Sequence, residues 1–425
     1  MKNSKNYLHY IYFVLVITFL VSCNSNSNKK VEYGQATREL ITLVENNPEV
    51  KAMLIASIEK AKQINSDRNT NPAQNLTEYY EFVSWSETSM PWALLKKEEY
   101  PEIFDNIFQS LCYFYFIIDQ PLPELEGKGL VNNSLQYAEP FASWLITFSK
   151  SWGEFLDTET SWNEQYYQMA LNDANFGLQN GWYEDPSNWK TFNDFFTRYL
   201  KSNGMRPIAS PGDNSIVASF ADSEPQGIWA IDSSSNLVFT GVAVKSSTLR
   251  SISDLIGEDS EYKDFFANGT FTHSFLNVND YHRYHFPMNG TVKEVRIIQG
   301  INPTGGSLWW DAENGRYAFN PAAKTGWQTV ETRGCVILET EGYGLVALLP
   351  IGMVAVGSVN FEKNVKPGAH VMKGDMLGNF AFGGSDFIMI FQDQVNFILD
   401  TPKEDNSEAY KHILMGERLG LLTKK

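Results

Sequence analysis

The chain has 425 residues, enough for two domains and a large buried core. Its 43% hydrophobic and 14% aromatic residues against 20% charged describe a globular protein and not a low-complexity one. A formal net charge of −16 argues against nucleic acid as a partner, whose phosphates want Lys and Arg, and against broad docking on an anionic lipid surface.

At the N-terminus, Lys2, Lys5 and His9 precede an apolar run from Ile11 to Val21 that ends in Leu20-Val21-Ser22-Cys23. The run is shorter than the ~20 residues that span a bilayer, so a signal peptide is predicted over residues 1–23. The Leu-Val-Ser-Cys ending resembles a bacterial lipobox, in which Cys23 is lipidated and becomes the mature N-terminus. An ordinary signal peptide with an incidental Cys is the alternative. Residues 24–34, opening on Asn24-Ser25-Asn26-Ser27-Asn28-Lys29-Lys30, then form a polar tether. The expectation is an exported, membrane-anchored lipoprotein in the cell envelope of a bacterium. Cys112 and Cys335 are no disulfide framework and lack zinc-ligand spacing. Both are expected to be small buried apolar residues, with a single bridge as the alternative.

From 35 to 190 the pattern is helical. Leu40, Leu43, Val44, Val50, Met53, Leu54 and Ile58 recur at three- and four-residue spacings, and Pro48 marks a break or a new start. Ile103 to Ile118 and Phe141 to Phe155 are further apolar stretches, and seven of the eleven Trp lie at or before Trp189. No catalytic motif stands in this half. After Thr191-Phe192-Asn193-Asp194-Phe195-Phe196, short β-branched runs alternate with turn signals: Val292 to Ile298, Cys335 to Glu339, Leu345 to Leu349 and Val354 to Phe361. The predicted fold class is α+β, with a helical accessory domain over 35–190 followed by a β-rich domain over 191–425.

Three elements of the second half carry chemistry. Phe382-Gly383-Gly384-Ser385-Asp386 offers a permissive turn beside a hydroxyl, although a plain turn would read the same. Asn279-Asp280-Tyr281-His282-Arg283-Tyr284-His285-Phe286-Pro287 crowds two of the five His outside the signal region beside Asp and Arg, which suggests acid–base work. Structural hydrogen bonding and metal binding are the other readings of that pair, and the spacing supplies no third metal ligand, so no metal is assigned. Ser210-Pro211-Gly212-Asp213-Asn214 places the Asp213 carboxylate in an exposed turn, where capping the turn is its plainest role. Lys373, between Met372 and Gly374, is read as a turn residue.

Together these elements resemble the phosphatidylserine decarboxylase family over roughly residues 188–400. TFNDFFTR at 191–198 with Arg206-Pro207, SPGDN at 210–214, DYHRYHFP at 280–287, Lys373-Gly374-Asp375 to Gly378, and FGGS at 382–385 occur in the family's order. The resemblance implies self-cleavage between Gly384 and Ser385, with Asp213, His285 and Ser385 as the processing triad. In that scheme Asp213 orients His285, His285 deprotonates Ser385, and the Ser385 oxygen attacks the Gly384 carbonyl. Elimination and hydrolysis then leave a pyruvoyl cofactor at Ser385, and the two cleavage chains stay together as a heterodimer. His282 matches the residue implicated in decarboxylation. Arg283 either holds a carboxylate or braces Asp280. Two departures stand out: Asn214 where Gly is usual, and Asp386 after the processing Ser, a carboxylate either unfavourable beside the new ketone or simply solvated.

The resemblance implies phosphatidylserine as substrate, reached through the lipid anchor and converted to phosphatidylethanolamine. ITLVENNP at 41–48, Gly181-Trp182, Glu331-Thr332-Arg333-Gly334 and Pro350-Ile351-Gly352-Met353 are similar to a soluble branch acting on free aromatic amino acids such as L-tryptophan. A small free amino acid is therefore the alternative substrate, with Trp309-Trp310 as an apolar pocket wall or as core. An inactive binding lipoprotein is the non-enzyme alternative.

Overall fold

Seven helices of the first part are built as the apolar spacing requires. Gln35–Asn46 (α1) turns Leu40 and Val44, one helical turn apart, into the core. Pro48–Ile64 (α2) begins on the predicted breaker, because a proline at the first helical position gives up an N–H that has no partner there. Leu76–Ser86 (α3) starts where the Asn75 side chain accepts from the Glu78 amide. Ile103–Phe116 (α4), Phe141–Leu156 (α5) and Glu164–Asn172 (α6) follow, the first two on the predicted apolar stretches. Thr191 and Asp194 form a reciprocal capping box that fixes Phe192–Phe196 (α7). A further short helix, Ile252–Ile256 (α8), lies within the β-rich part.

The strands are Ile216–Ala218 (β1), Glu224–Ala230 (β2), Thr270–Leu276 (β3), Arg283–His285 (β4), Gly290–Ile298 (β5), Ser307–Asp311 (β6), Arg316–Asn320 (β7), Thr332–Thr340 (β8), Gly344–Met353 (β9), Asn360–Phe361 (β10), His370–Val371 (β11), Met376–Asn379 (β12), Gly384–Phe391 (β13), Val395–Leu399 (β14) and Arg418–Lys424 (β15). The computed structural model describes residues 32–95, 100, 102–238, 251–321, 326–356 and 358–425. The predicted signal peptide, Cys23 and all but the end of the 24–34 tether lie outside them. Among the described residues no helix is long and apolar enough to cross a membrane.

One antiparallel sheet organises the β-rich part, in the order β11-β5-β8-β9-β13-β3-β2. Smaller sheets, β10-β12-β4 and β1-β15-β14, and the hairpin β6-β7 accompany it. β13 is central, hydrogen-bonded to β9 on one side and β3 on the other. It is buried along its whole length, which explains why Phe387 to Phe391 is a continuous apolar run and not an alternating one. Its two faces enter different cores. Phe387, Met389 and Phe391 join Tyr284, Phe286 and Phe220. Ile388 and Ile390 join a cluster that also holds Leu40, Phe114, Phe148 and Trp152 from the helices. The architecture is α+β as expected, and residues 33–425 form a single unit in which helices and sheet share a core.

Candidate active site

Ser385 opens the central strand, opposite Leu276 on β3 and Gly352 on β9. Its side chain is fully buried, and its hydroxyl has no hydrogen-bond partner among the described residues. A buried hydroxyl normally finds one, since an unmade bond costs ~1–3 kcal/mol. The two glycines before it are required by geometry. Gly383 has φ of 148°, which side-chain-bearing residues rarely adopt. A Cβ on Gly384 would lie 2.8 Å from Val354 Cγ2 and 2.9 Å from Met353 Cγ. Phe382, just upstream, is held edge-on by Trp152, Phe192 and Phe196 at 5.5, 5.3 and 5.2 Å. Its amide donates to Asn193 Oδ1 at 3.0 Å. TFNDFFTR is thus a clamp on the turn that precedes Ser385.

The same clamp sets the histidines. The His282 ring stacks on Phe196, with centroids 3.8 Å apart. Its Nδ1 lies 3.0 Å from the Asp280 carbonyl oxygen, which can only accept, so Nδ1 carries the proton. Nε2 is then a bare lone pair, buried and without a partner. Burial, with the Arg198 charge adding to it, pushes the His282 pKa down to about 3. His285 lies on β4 with Nδ1 2.8 Å from the Gly374 carbonyl oxygen and Nε2 3.1 Å from the Tyr281 hydroxyl. Burial pushes its pKa down to about 4, against the opposing Gly374 hydrogen bond. Both imidazoles are neutral at pH 7, but only His282 presents a free basic nitrogen.

The expected relay from Asp213 through His285 to Ser385 is not assembled. Asp213 is exposed, and its carboxylate accepts from the Ser215 amide at 2.8 Å and the Ser215 hydroxyl at 2.7 Å. Those bonds, with the Lys373 charge beyond them, hold its pKa below the usual carboxylate value. The turn satisfies its own carboxylate locally, as short Asx side chains do. His285 is oriented by Gly374 and Tyr281 in its place. Tyr281 stands inside the DYHRYHFP string but was not singled out, since nothing in spacing distinguishes a positioning hydroxyl from a core ring.

Lys373 is more than a turn residue. Its ammonium is held by the carbonyl oxygens of Ser210, Asp213 and Ile216 at 2.8, 2.7 and 2.7 Å. Burial lowers its pKa to about 8. The Lys373-Gly374 turn therefore staples the Asp213 loop with one residue and fixes His285 with the next. Asn214 answers its departure from the family pattern by pairing its amide with Asn289: Nδ2 donates to the Asn289 carbonyl, and Oδ1 accepts from the Asn289 amide. Arg283 holds a carboxylate, that of Glu362 at 3.6 Å, and does not brace Asp280. Its Nε donates to the Thr197 carbonyl at 2.7 Å, and its guanidinium lies 3.3 Å over the Tyr199 ring. Asp280 is braced by His412, whose Nε2 is 2.8 Å from Oδ1.

Asp386 is neither solvated nor on the Ser385 side of the strand. Successive side chains alternate faces, and the buried Asp386 carboxylate meets His273 Nδ1 at 3.0 Å and Gln328 Nε2 at 3.0 Å. Nearby Glu331 is fully buried with neither oxygen hydrogen-bonded. Burial, opposed by the Arg333 charge and reinforced by that of Asp386, raises its pKa well above the usual carboxylate value. Cys112 and Cys335 are both free and buried, so the alternative bridge does not form.

Gly384 forms part of the wall of an apolar cavity of about 40 Å³. Leu111 and Cys112 of α4, Leu308 of β6 and Met353 are among its other walls. Phe108, Phe275, Asn277 and Phe319 are shared with an outer vestibule of about 280 Å³, which adds Asp105, Glu224, Gln226 and Arg316. Trp309 and Trp310 are not in either wall. Across the hairpin, Leu308 faces Phe319 in register, so alternation turns Trp309 outward, 46% exposed, while Trp310 packs edge-on against Tyr317. A larger depression of about 610 Å³ near Trp162 and Trp189 shares no residue with the site. Among the described residues no group of three or more His, Cys, Asp or Glu is placed to hold a metal ion.

Comparison with known proteins points the same way. The phosphatidylserine decarboxylase family model matches residues 192–421. A Clostridium botulinum (strain Langeland) phosphatidylserine decarboxylase proenzyme is 30% identical over 321 residues, covering 71% of this chain and 96% of that protein. Rice phosphatidylserine decarboxylase proenzyme 2 is 34% identical over 245 residues, 57% of this chain but only 36% of that longer protein. The Amanita muscaria protein named decarboxylase iboD is 28% identical over 280 residues, 60% of this chain and 77% of its own length.

Proposed function

The chain belongs to the phosphatidylserine decarboxylase family, and on that premise we propose that it is a proenzyme that cuts itself between Gly384 and Ser385 and then converts phosphatidylserine to phosphatidylethanolamine. The family makes it a carboxy-lyase by class. The observation that carries the reading is the Ser385 hydroxyl, buried and unpartnered, directly after two glycines that no other residue could replace without a clash or strain. Ser385 Oγ attacks the Gly384 carbonyl carbon, its proton passes to the amide nitrogen through a neutral imidazole, and the peptide becomes an ester. Loss of the Ser385 Cα proton expels the Gly384 carboxylate and leaves dehydroalanine, and water then displaces the nitrogen as ammonia.

The site fits the pyruvoyl group that results. Ser385 supplies its atoms, and the missing Cβ of Gly384 leaves the approach open. That group supplies a ketone for the substrate amine and a neighbouring carbonyl that draws electrons as CO2 leaves. His282 Nε2, bare and buried, is the free basic nitrogen that would carry the proton in turnover. From Ser385 onward β13 pairs with β3 and β9, and β15 pairs with β1, all three from before the cut, which supports two pieces that stay together. Intact mass tests the proposal: wild type should give two pieces, the smaller running from Ser385 to Lys425 with a blocked N-terminus, and Ser385→Ala should give one. A wild-type chain still whole after long incubation overturns it.

A free L-amino acid is the second reading. It is favoured by the apolar cavity beside Gly384. CO2 release from phosphatidylserine vesicles against free amino acids separates the two. Export and anchoring through a lipidated Cys23 complete the proposal. Labelled fatty acid should attach to wild type and not to Cys23→Ala, and absence of label on both would leave a plain secreted form.

A further inference from the structure

We propose that α4 and the β6–β7 hairpin set the substrate range. On this proposal the cavity against Gly384 receives the side-chain end of the reacting amino acid, and it admits a serine-sized one, whether the serine is free or the head group of a phospholipid. The inference rests on the self-processing decarboxylase reading above. Position comes first: among the described residues, the cavity abuts the acyl side of the bond to be cut and shares Phe108 and Phe319 with the vestibule. Its chemistry comes second. Phe108, Leu111, Cys112, Leu308 and Phe319 are apolar, and the Thr304 hydroxyl is engaged with Gln136 at 3.2 Å. A charged group placed there would lose its hydration without replacement, so phosphate or other ionic portions belong in the vestibule.

Size decides the rest. The inner cavity holds about 40 Å³, in a measure where one water takes ~10–15 Å³, so it takes roughly three heavy atoms. An indole or phenyl ring enters only if a wall moves. The walls nearest the helical part, Phe108 and Leu111, come from a region that holds none of the reacting groups, and Leu308 comes from a hairpin outside the main sheet. Substrate choice is therefore separated in the chain from chemistry.

The test uses full-length, self-cleaved protein whose cut is verified by intact mass. CO2 release is measured from phosphatidylserine vesicles, L-serine, L-phenylalanine and L-tryptophan. Wild type should turn over at least one serine arm and neither aromatic one, and whichever serine arm works names the source. Leu111→Ala and Leu308→Ala should each raise kcat/KM for phenylalanine relative to the serine arm by about tenfold or more, as expected for removing several buried methyl groups from a pocket wall. Equal turnover of tryptophan and serine by wild type, or an unchanged preference in the cut variants, overturns the proposal. Should the variants fail to fold or cut, inhibition of wild type decides: L-serine amide should compete at least about tenfold better than L-tryptophan amide, and equal inhibition overturns the inference. A wild type that never cuts defeats the decarboxylase reading itself, which is a distinguishable result.

Discussion

The helical part and the β-rich part both contribute to the core but are differently employed. Ser385, His282, His285, Asp213 and Lys373 all belong to the β-rich part, held by backbone carbonyls, by neighbouring strands or, for Asp213, by the Ser215 amide and hydroxyl. From the helical part come shape and support: Trp152 against Phe382, Leu111 and Cys112 in the cavity wall, and the Tyr115 hydroxyl bonded to the Ala355 amide beside Gly384. The two share one core. Chemistry can thus stay in a fixed set of strands while the surroundings of the cut are shaped by helices that carry no reacting group.

The largest expected effect sharpens the β-rich side of that contrast. His282→Ala should still cut itself, yet lose about 10²–10⁴ in turnover, the span typical of a removed acid–base group. CO2 release on protein of verified mass measures it, and an uncut variant would mean that the two imidazoles have the opposite roles. Next, Trp152→Ala attacks the contrast from the helical side. Removing this fully buried ring should cost ~3–5 kcal/mol in denaturant unfolding. It should also slow cleavage, because Phe382 loses one of its three walls. Cleavage at the wild-type rate would break the idea that helices support the cut.

Lys373→Met keeps length and removes the ammonium that three carbonyls hold closely. Losing charged hydrogen bonds of this kind costs about 1.5–3 kcal/mol, and cleavage should slow as the Asp213 loop loosens. A stable variant that cuts normally would show that the loop's position is irrelevant to processing. The smallest effect concerns pH. Burial opposes charging of His412, but the hydrogen bond and charge of Asp280 outweigh it and raise its pKa to about 9. That pair's contribution is complete below the unfolded value of ~6.5 and is lost as pH rises through 9. The melting temperature should fall between pH 7 and 10 in wild type and fall less in His412→Gln. On the acid side the depressed pKa values of His282 and His285 work in the opposite direction. Below ~6.5 the unfolded chain takes up protons that the folded core refuses, so stability should decline toward pH 4.

Much was legible before any fold was known. Apolar spacing located α1, α2, α4 and α5, and the Val292 to Ile298, Cys335 to Glu339 and Leu345 to Leu349 runs fall on β5, β8 and β9, because periodicity records which face is buried. The ordered motifs singled out Ser385, His282 and His285, all three of which the fold buries. Three things were not legible. Asp213 is a local turn residue that bonds Ser215, and not His285, because a short carboxylate finds the nearest amide and hydroxyl first. Asp386 faces away from the Ser385 side, because its facing depends on strand register and not on adjacency. Trp309 is exposed while Leu308 forms the wall, a one-residue phase that composition cannot supply.

By itself the sequence determined the order of helices and strands, the family and the residues able to react, since these follow from local spacing and from side-chain chemistry that travels with the chain. Only the tertiary structure decided which nitrogen of which histidine is free, what Lys373 clamps and what walls the cavity beside Gly384. Several of those outcomes depend on contacts between residues far apart in the chain, such as Lys373 with Asp213, 160 positions apart, and the shared cavity of Leu111 and Gly384. Nothing in a local pattern encodes such distances; they are set when one core closes over both parts.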